Sequence, residues 1–350
     1  MRRFFNLILF ISFLGVLSFL PVRAQTNACT LLKVTTSPAD YGSVGKVAFT
    51  KQTIETPISG APAQVTVFLP NDASASNKVP VIFFAHGFGG FYYQVYEGLL
   101  NQLASNGYAV VFAPYNSIAP THAARYDQLW KGFQAAVAQY GNVLDTSKIG
   151  IAGHSYGGGA VPELARRAIA QGWGGSDIFL FVMAAWYSWG TDYSSIPARA
   201  KLVVQIYWDD GTNEHLISQN DIWNRLPQIT EKRWQVIRTA SNCSCTLIAG
   251  HGVPVTADVS TDSGGGTNAQ DSWGVWRRIH ALADYTFNHN QAAKNIAFGD
   301  DANMGKWRFC TKHPVTPMQA ANAPVVNTSQ SATWRWSLKC LAADSGVPCQ

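Results

Sequence analysis

The sequence predicts an α/β fold, with a mostly parallel central sheet and helices on both faces. The continuous apolar run VPVIFFA (79–85) marks a strand buried on both faces, and KLVVQIY (201–207) reads as a further buried strand. Segments with helical spacing alternate with these runs, the pattern of a layered α/β domain. Hydrophobic residues make up 47% of the 350, enough for a large core and too many for a disordered chain.

The first 24 residues read as a signal peptide. Arg2 and Arg3 precede the apolar run Phe4–Leu20, Pro21 breaks it, and Val22-Arg23-Ala24 offers small residues for cleavage. We expect residues 25–300 to form the α/β domain, with 301–350 a Cys- and Trp-containing C-terminal extension packed on it. Cleavage removes three arginines and no acid, lowering the formal charge from +5 to +2, so nucleic acid is not an expected partner. No stable membrane span remains after cleavage, and a secreted or periplasmic location follows. Charged residues are 13%, against about 25% in typical domains, which suits a neutral or apolar ligand. Six cysteines in an exported chain point to disulfides. Cys243 and Cys245 are too close to bond each other without strain, so each should pair elsewhere. The cysteine spacings match no zinc template, and no metal is expected.

Gln64–Leu69 alternates and reads as a half-buried strand. Buried strands follow at Val79–Ala85, Tyr108–Ala113, Lys148–Ala152, Asp177–Ala185 and Lys201–Tyr207. Helical spacing appears at Tyr93–Ser105, Thr121–Tyr140, Tyr156–Gln171 and Ser272–Phe287. Residues 252–273 interrupt the rhythm, and Ser263-Gly264-Gly265-Gly266-Thr267 reads as a mobile surface loop.

The sharpest chemical signal is Gly153-His154-Ser155-Tyr156-Gly157, which follows a strand and opens a helix. That is the setting in which a serine is perched on a tight turn as a nucleophile. His86-Gly87-Phe88-Gly89-Gly90 directly follows the buried strand ending at Ala85, where a loop can present a backbone N–H to a developing oxyanion. We assign the two donors to the N–H groups of Phe88 and Tyr156, and read His86 as a structural hydrogen bonder. The acid should follow KLVVQIY, where Asp210 is favoured over Asp209, with Asp192 and Glu214 as further carboxylates. The base is His251, in a glycine-flanked loop after the β-like stretch Cys245–Ala249. His215 follows the acid too closely to reach Ser155, and His280 lies inside a helix.

On these residues the chain resembles the α/β-hydrolase superfamily, and within it the dienelactone-hydrolase-like secreted esterases. That neighbourhood includes cutinases, polyester hydrolases, chlorophyllases and platelet-activating-factor acetylhydrolases. The resemblance spans about residues 60–310, through VPVIFFAHGFGG, the Gly-His-Ser run with its glycines, the acid after KLVVQIY, and Gly274-Val275-Trp276-Arg277-Arg278. It implies a cofactor-free monomer acting on a small or polymeric ester through a Ser-His-Asp triad. It also implies that a Trp in the place of Trp186 lines the cleft, and Tyr187 joins it as a candidate substrate contact. A serine peptidase or amidase on the same fold, or an inactive binding protein that kept it, are the alternatives.

Overall fold

The computed structural model describes residues 35–339 apart from 56, 57, 191, 244 and 258–263. The expected signal peptide lies outside the described residues. Strands β1 (Phe49–Thr53), β2 (Thr66–Pro70), β3 (Val79–Ala85), β4 (Ala109–Ala113), β5 (Leu144–His154), β6 (Asp177–Met183), β7 (Lys201–Tyr207) and β8 (Glu231–Ile237) form one sheet. It is completed by β11 (Gln319–Ala321), in the order β1-β2-β4-β3-β5-β6-β7-β8-β11. From β4 to β8 all neighbours run parallel; β1, β2 and β11 are antiparallel additions at the edges.

Alternation along the strands divides the core in two. Ile82 and Phe84 of β3, with Val110 and Phe112 of β4, face one side of the sheet. There they meet helices α1 (Glu97–Ala104) and, later in the chain, α4 (Arg277–Phe287). Val81 and Phe83, with Val111 and Ile151, face the other side, against α2 (His122–Tyr140) and α3 (Tyr156–Ala170). Both faces are covered, so strands in the middle carry no polar rhythm. Helix α2 starts where Thr121 accepts the amide of Ala124 at 3.1 Å, a side-chain N-cap. Among the described residues no helix is long and apolar enough to cross a membrane.

Three elements differ from expectation. β2 is buried on both faces rather than half-exposed, because Phe68 packs into the core on one side of the sheet and Val67 into the core on the other. β8 was not anticipated: its charged start, Glu231-Lys232-Arg233, hides a strand whose second half, Trp234–Ile237, is fully buried. The surface loop expected at 263–267 is corrected for its described part: Gly264, Gly265 and Gly266 are buried. Gly266 donates to the Val255 carbonyl at 3.0 Å, and a Cβ on Gly264 would stand 2.5 Å from the Ile248 oxygen. The glycines pack closely because they lack side chains. A wider π-helical turn, Gln270–Trp276, then leads into α4.

A small ribbon of β9 (Ala240–Asn242) and β10 (Cys245–Leu247) precedes the His251 loop. A disulfide joins Cys243 of that ribbon to Cys310, and Cys245 is disulfide-bonded as well.

Candidate active site

β5 turns directly into α3 at Ser155, whose backbone takes φ 56° and ψ −119°. A non-glycine residue there is strained by roughly 1–3 kcal/mol, so the surroundings must hold it. They do so through three backbone bonds: Ser155 N–H donates to Met183 at 2.9 Å, and its carbonyl accepts from Gly159 at 3.0 Å and Trp186 at 2.8 Å. The bend also needs bare backbone. A Cβ on Gly153 would lie 2.3 Å from the Gly157 oxygen, and one on Gly157 would lie 2.1 Å from the Ala85 oxygen.

Past the end of β7, Asp210 is 2% exposed. Its Oδ1 accepts the amides of Thr212 at 2.8 Å and Asn213 at 2.9 Å, which aims Oδ2 at His251. Asp210 Oδ2 accepts from His251 Nδ1–H at 2.8 Å. With the proton held on Nδ1, Nε2 is left to accept the Ser155 hydroxyl at 2.9 Å. Residues 155, 210 and 251 thus meet across long stretches of chain. The other candidates are engaged elsewhere. Asp209 accepts the Thr239 hydroxyl, and Glu214 accepts the Trp336 amide. Asp192 caps its own loop through the Ser194 amide. His215 lies between the Tyr207 carbonyl and the Asn327 amide. His280 packs edge-on against Tyr41 and Tyr108, and burial pushes its imidazole down to about 4.

The loop after β3 is held by side chains. Gly87 N–H donates to the Tyr96 hydroxyl at 3.0 Å, Gly89 N–H to Ser117 Oγ at 2.8 Å, and Gly90 N–H to the Gly87 carbonyl at 3.0 Å. Among the described residues the Phe88 amide meets no acceptor, and Phe88 lies with Ser155, Tyr156 and His251 around one cavity. His86 is buried, donates from Nδ1 to the Gly87 carbonyl at 2.7 Å and accepts the Tyr115 amide on Nε2. Its burial lowers the imidazole to about 3, so it stays neutral.

Two residues that sequence reasoning left without a role join the loops. The Tyr96 hydroxyl, having accepted from Gly87, donates to His154 Nδ1 at 2.9 Å. His154 Nε2–H donates in turn to the His251 carbonyl at 2.9 Å. Burial, and then the nearby His251, hold His154 well below the ordinary imidazole value, and it stays neutral. The chain Gly87–Tyr96–His154–His251 therefore links the loop after β3 to the His251 loop. His154 is visible in the motif, but no spacing signals that Tyr96 reaches it.

The cavity is about 690 Å³ and is lined largely by apolar groups, among them Phe88, Val95, Trp186, Val255 and Trp334. That is a common size for a small-molecule site. Trp186 faces it; Tyr187 does not line it. Tyr187 is buried beside Trp186 with its hydroxyl donated to the Arg335 carbonyl, and burial pushes the phenol up to about 12. Arg125 also lines the cavity, anchored by Nε to the Ala119 carbonyl. Among the described residues no cluster of three or more His, Cys, Asp or Glu side chains has metal-holding geometry.

The family model described as Chlorophyllase matches residues 39–172, from before β1 to just past α3. That stretch contains the loop after β3 and the Ser155 bend, within a mostly parallel sheet covered on both faces. The chain belongs to the α/β-hydrolase superfamily. As an α/β hydrolase it is similar to chlorophyllases over less than half its length, and the match stops before Asp210 and His251. Those two residues stand on geometry alone. No curated protein matches the chain.

Proposed function

We propose that this α/β hydrolase is a secreted serine hydrolase that cleaves carboxylic esters through an acyl-enzyme. The observation that carries the reading is the Asp210–His251–Ser155 chain, with bonds of 2.8 and 2.9 Å, ending on a hydroxyl at a strained bend. Ser155 Oγ attacks the carbonyl carbon while its proton passes to His251 Nε2. Asp210 stabilises the resulting imidazolium without taking its proton. The carbonyl oxygen becomes negative and accepts the amides of Phe88 and Tyr156, each worth about 10²–10³ in rate. His251 then protonates the departing alcohol oxygen as the C–O bond breaks. Water next gives a proton to His251 and attacks the acyl carbon. The acid departs and Ser155 recovers its proton. These steps need no cofactor, and Trp186 supplies apolar contact to the substrate.

The likeness to the Chlorophyllase model supports an ester rather than an amide substrate. The leader pattern at 1–24 and the Cys243–Cys310 disulfide support export to an oxidising compartment. The test is labelling with a fluorophosphonate probe together with hydrolysis of p-nitrophenyl butyrate and of peptide p-nitroanilides. Wild type should label and cleave the butyrate in preference to the anilides, and Ser155→Ala should do neither while keeping its circular dichroism. Near-wild-type turnover in Ser155→Ala would remove the nucleophile assignment.

A further inference from the structure

One wall of the cleft is built by a residue that the chemistry above does not use. Trp334 lines the same cavity as Ser155 and His251 and is 46% exposed. Its indole meets that of Trp186 at 89°, with ring centroids 6.0 Å apart. The chain around it is fastened to the loop that carries the acid. Thr333 N–H donates to the Gly211 carbonyl at 3.1 Å, and Trp334 N–H to the Thr212 carbonyl at 3.0 Å. The Trp334 carbonyl accepts from Glu214 N–H at 3.0 Å, and the Glu214 carboxylate accepts the Trp336 amide at 2.7 Å. Further on, Lys339 is 1% exposed and donates to Asp221 at 2.6 Å and to the Ser188 carbonyl at 2.8 Å. Ser188 N–H donates to the same Asp221 carboxylate at 2.9 Å, so the anchor reaches the segment that bears Trp186. A large apolar ring is thus left half in water on a rigid mount, at the mouth of the site.

We infer that Trp334 is a specificity-determining residue which, with Trp186, forms a right-angled aromatic corner that receives a flat aromatic group of the ester. The inference rests on the serine-hydrolase reading. A flat ring laid on one indole meets the other edge-on, and these are the two arrangements that aromatic pairs favour. A saturated ring of the same size is puckered and has no π face, so it makes neither contact. The rest of the wall is apolar and adds burial without choosing between flat and puckered groups.

The test compares kcat/KM by proton release for ethyl benzoate against ethyl cyclohexanecarboxylate, and for benzyl acetate against cyclohexylmethyl acetate. The full chain is used as wild type, Trp334→Ala, Trp334→Leu and Trp334→Phe. Intrinsic reactivity cancels when each aromatic-to-saturated ratio is compared between variants. For at least one pair the ratio should fall roughly tenfold in Trp334→Ala and Trp334→Leu and return most of the way in Trp334→Phe. Trp334→Leu keeps the apolar bulk and so separates aromatic recognition from a folding defect. Ratios within twofold of wild type in Trp334→Leu, for both pairs, overturn the inference and leave the hydrolase reading standing. A wild type that hydrolyses p-nitrophenyl butyrate but none of the four esters overturns the inference alone, and one that hydrolyses none of the five and takes no fluorophosphonate label overturns both.

Discussion

Replacing Tyr96 by Phe deletes one oxygen and leaves the ring, which packs 4.8 Å from Phe84 and within the core of one sheet face. The lost hydroxyl is the partner of two groups, Gly87 N–H at 3.0 Å and His154 Nδ1 at 2.9 Å. Tyr96 is 1% exposed and His154 3% exposed, so bulk water does not reach either group. A buried polar group left without its partner costs about 1–3 kcal/mol, so the two together should cost about 2–4 kcal/mol of stability. Activity should fall for a separate reason. Gly87 precedes Phe88, whose amide is the proposed oxyanion donor, and His154 holds the backbone of His251. Loss of a whole oxyanion donor costs about 10²–10³ in rate, so a loosened one should cost about 10- to 100-fold in kcat. KM should hardly move, because the oxyanion forms only after binding. The assay is urea unfolding beside kcat and KM on p-nitrophenyl butyrate. A variant that loses the stability but keeps kcat within threefold of wild type would show that the Tyr96–His154 chain braces the fold and does not position the chemistry.

Asp210→Asn keeps an acceptor for the Thr212 and Asn213 amides but turns an N–H toward His251. The ring should then carry its proton on Nε2, and kcat should fall about 10³–10⁴-fold at unchanged fold; a loss under tenfold would reassign the acid. Lys339→Met takes from the buried Asp221 carboxylate, whose value burial already raises, the one cation shown hydrogen-bonded to it, and leaves only the field of Arg225. We expect a loss of about 3–5 kcal/mol in urea unfolding, with part regained by adding Asp221→Asn, and a loss below 1 kcal/mol would contradict the pair's role as anchor. His280 is held at about 4 against an ordinary 6.5, so the unfolded chain takes up its proton first as pH falls. Its contribution is present above about pH 6.5 and is lost toward pH 4, amounting to about 2 kcal/mol between pH 7 and 5. His280→Gln should flatten the pH dependence of unfolding by that amount and leave turnover intact; an unchanged slope would mean that the imidazole is already solvated.

The parallel strands were legible wherever both faces of the sheet are covered, because burial on two sides writes a largely apolar run. β3 and β7 match their runs residue for residue. β8 escaped notice because its first three residues are charged and only partly buried, while its partner strands supply the pairing that propensity does not. The Ser155 bend was legible because its steric demand is local: two glycines within two residues of it are required by contacts inside the motif and with β3. Gly264–Gly266 misled for the converse reason. Glycine looks the same in sequence whether it is solvated or pressed against a carbonyl. Tyr96, Arg125 and Trp334 were not legible as cleft or relay residues, since each acquires its place only through contacts far along the chain.

β11 has a bearing on how this protein can be trimmed. Three residues of the late segment close the outer side of β8, pairing Gln319–Ala321 with Trp234–Val236. Val325 caps the indole N–H of Trp234 at 3.0 Å. Cutting the chain at residue 300, where the α/β domain was expected to stop, would strip that cover and leave a row of unsatisfied amides and carbonyls beside an uncovered tryptophan. Such an edge invites pairing with another copy. The shortened protein should therefore precipitate before any change in selectivity can be measured, and any engineered variant should retain the segment through Lys339.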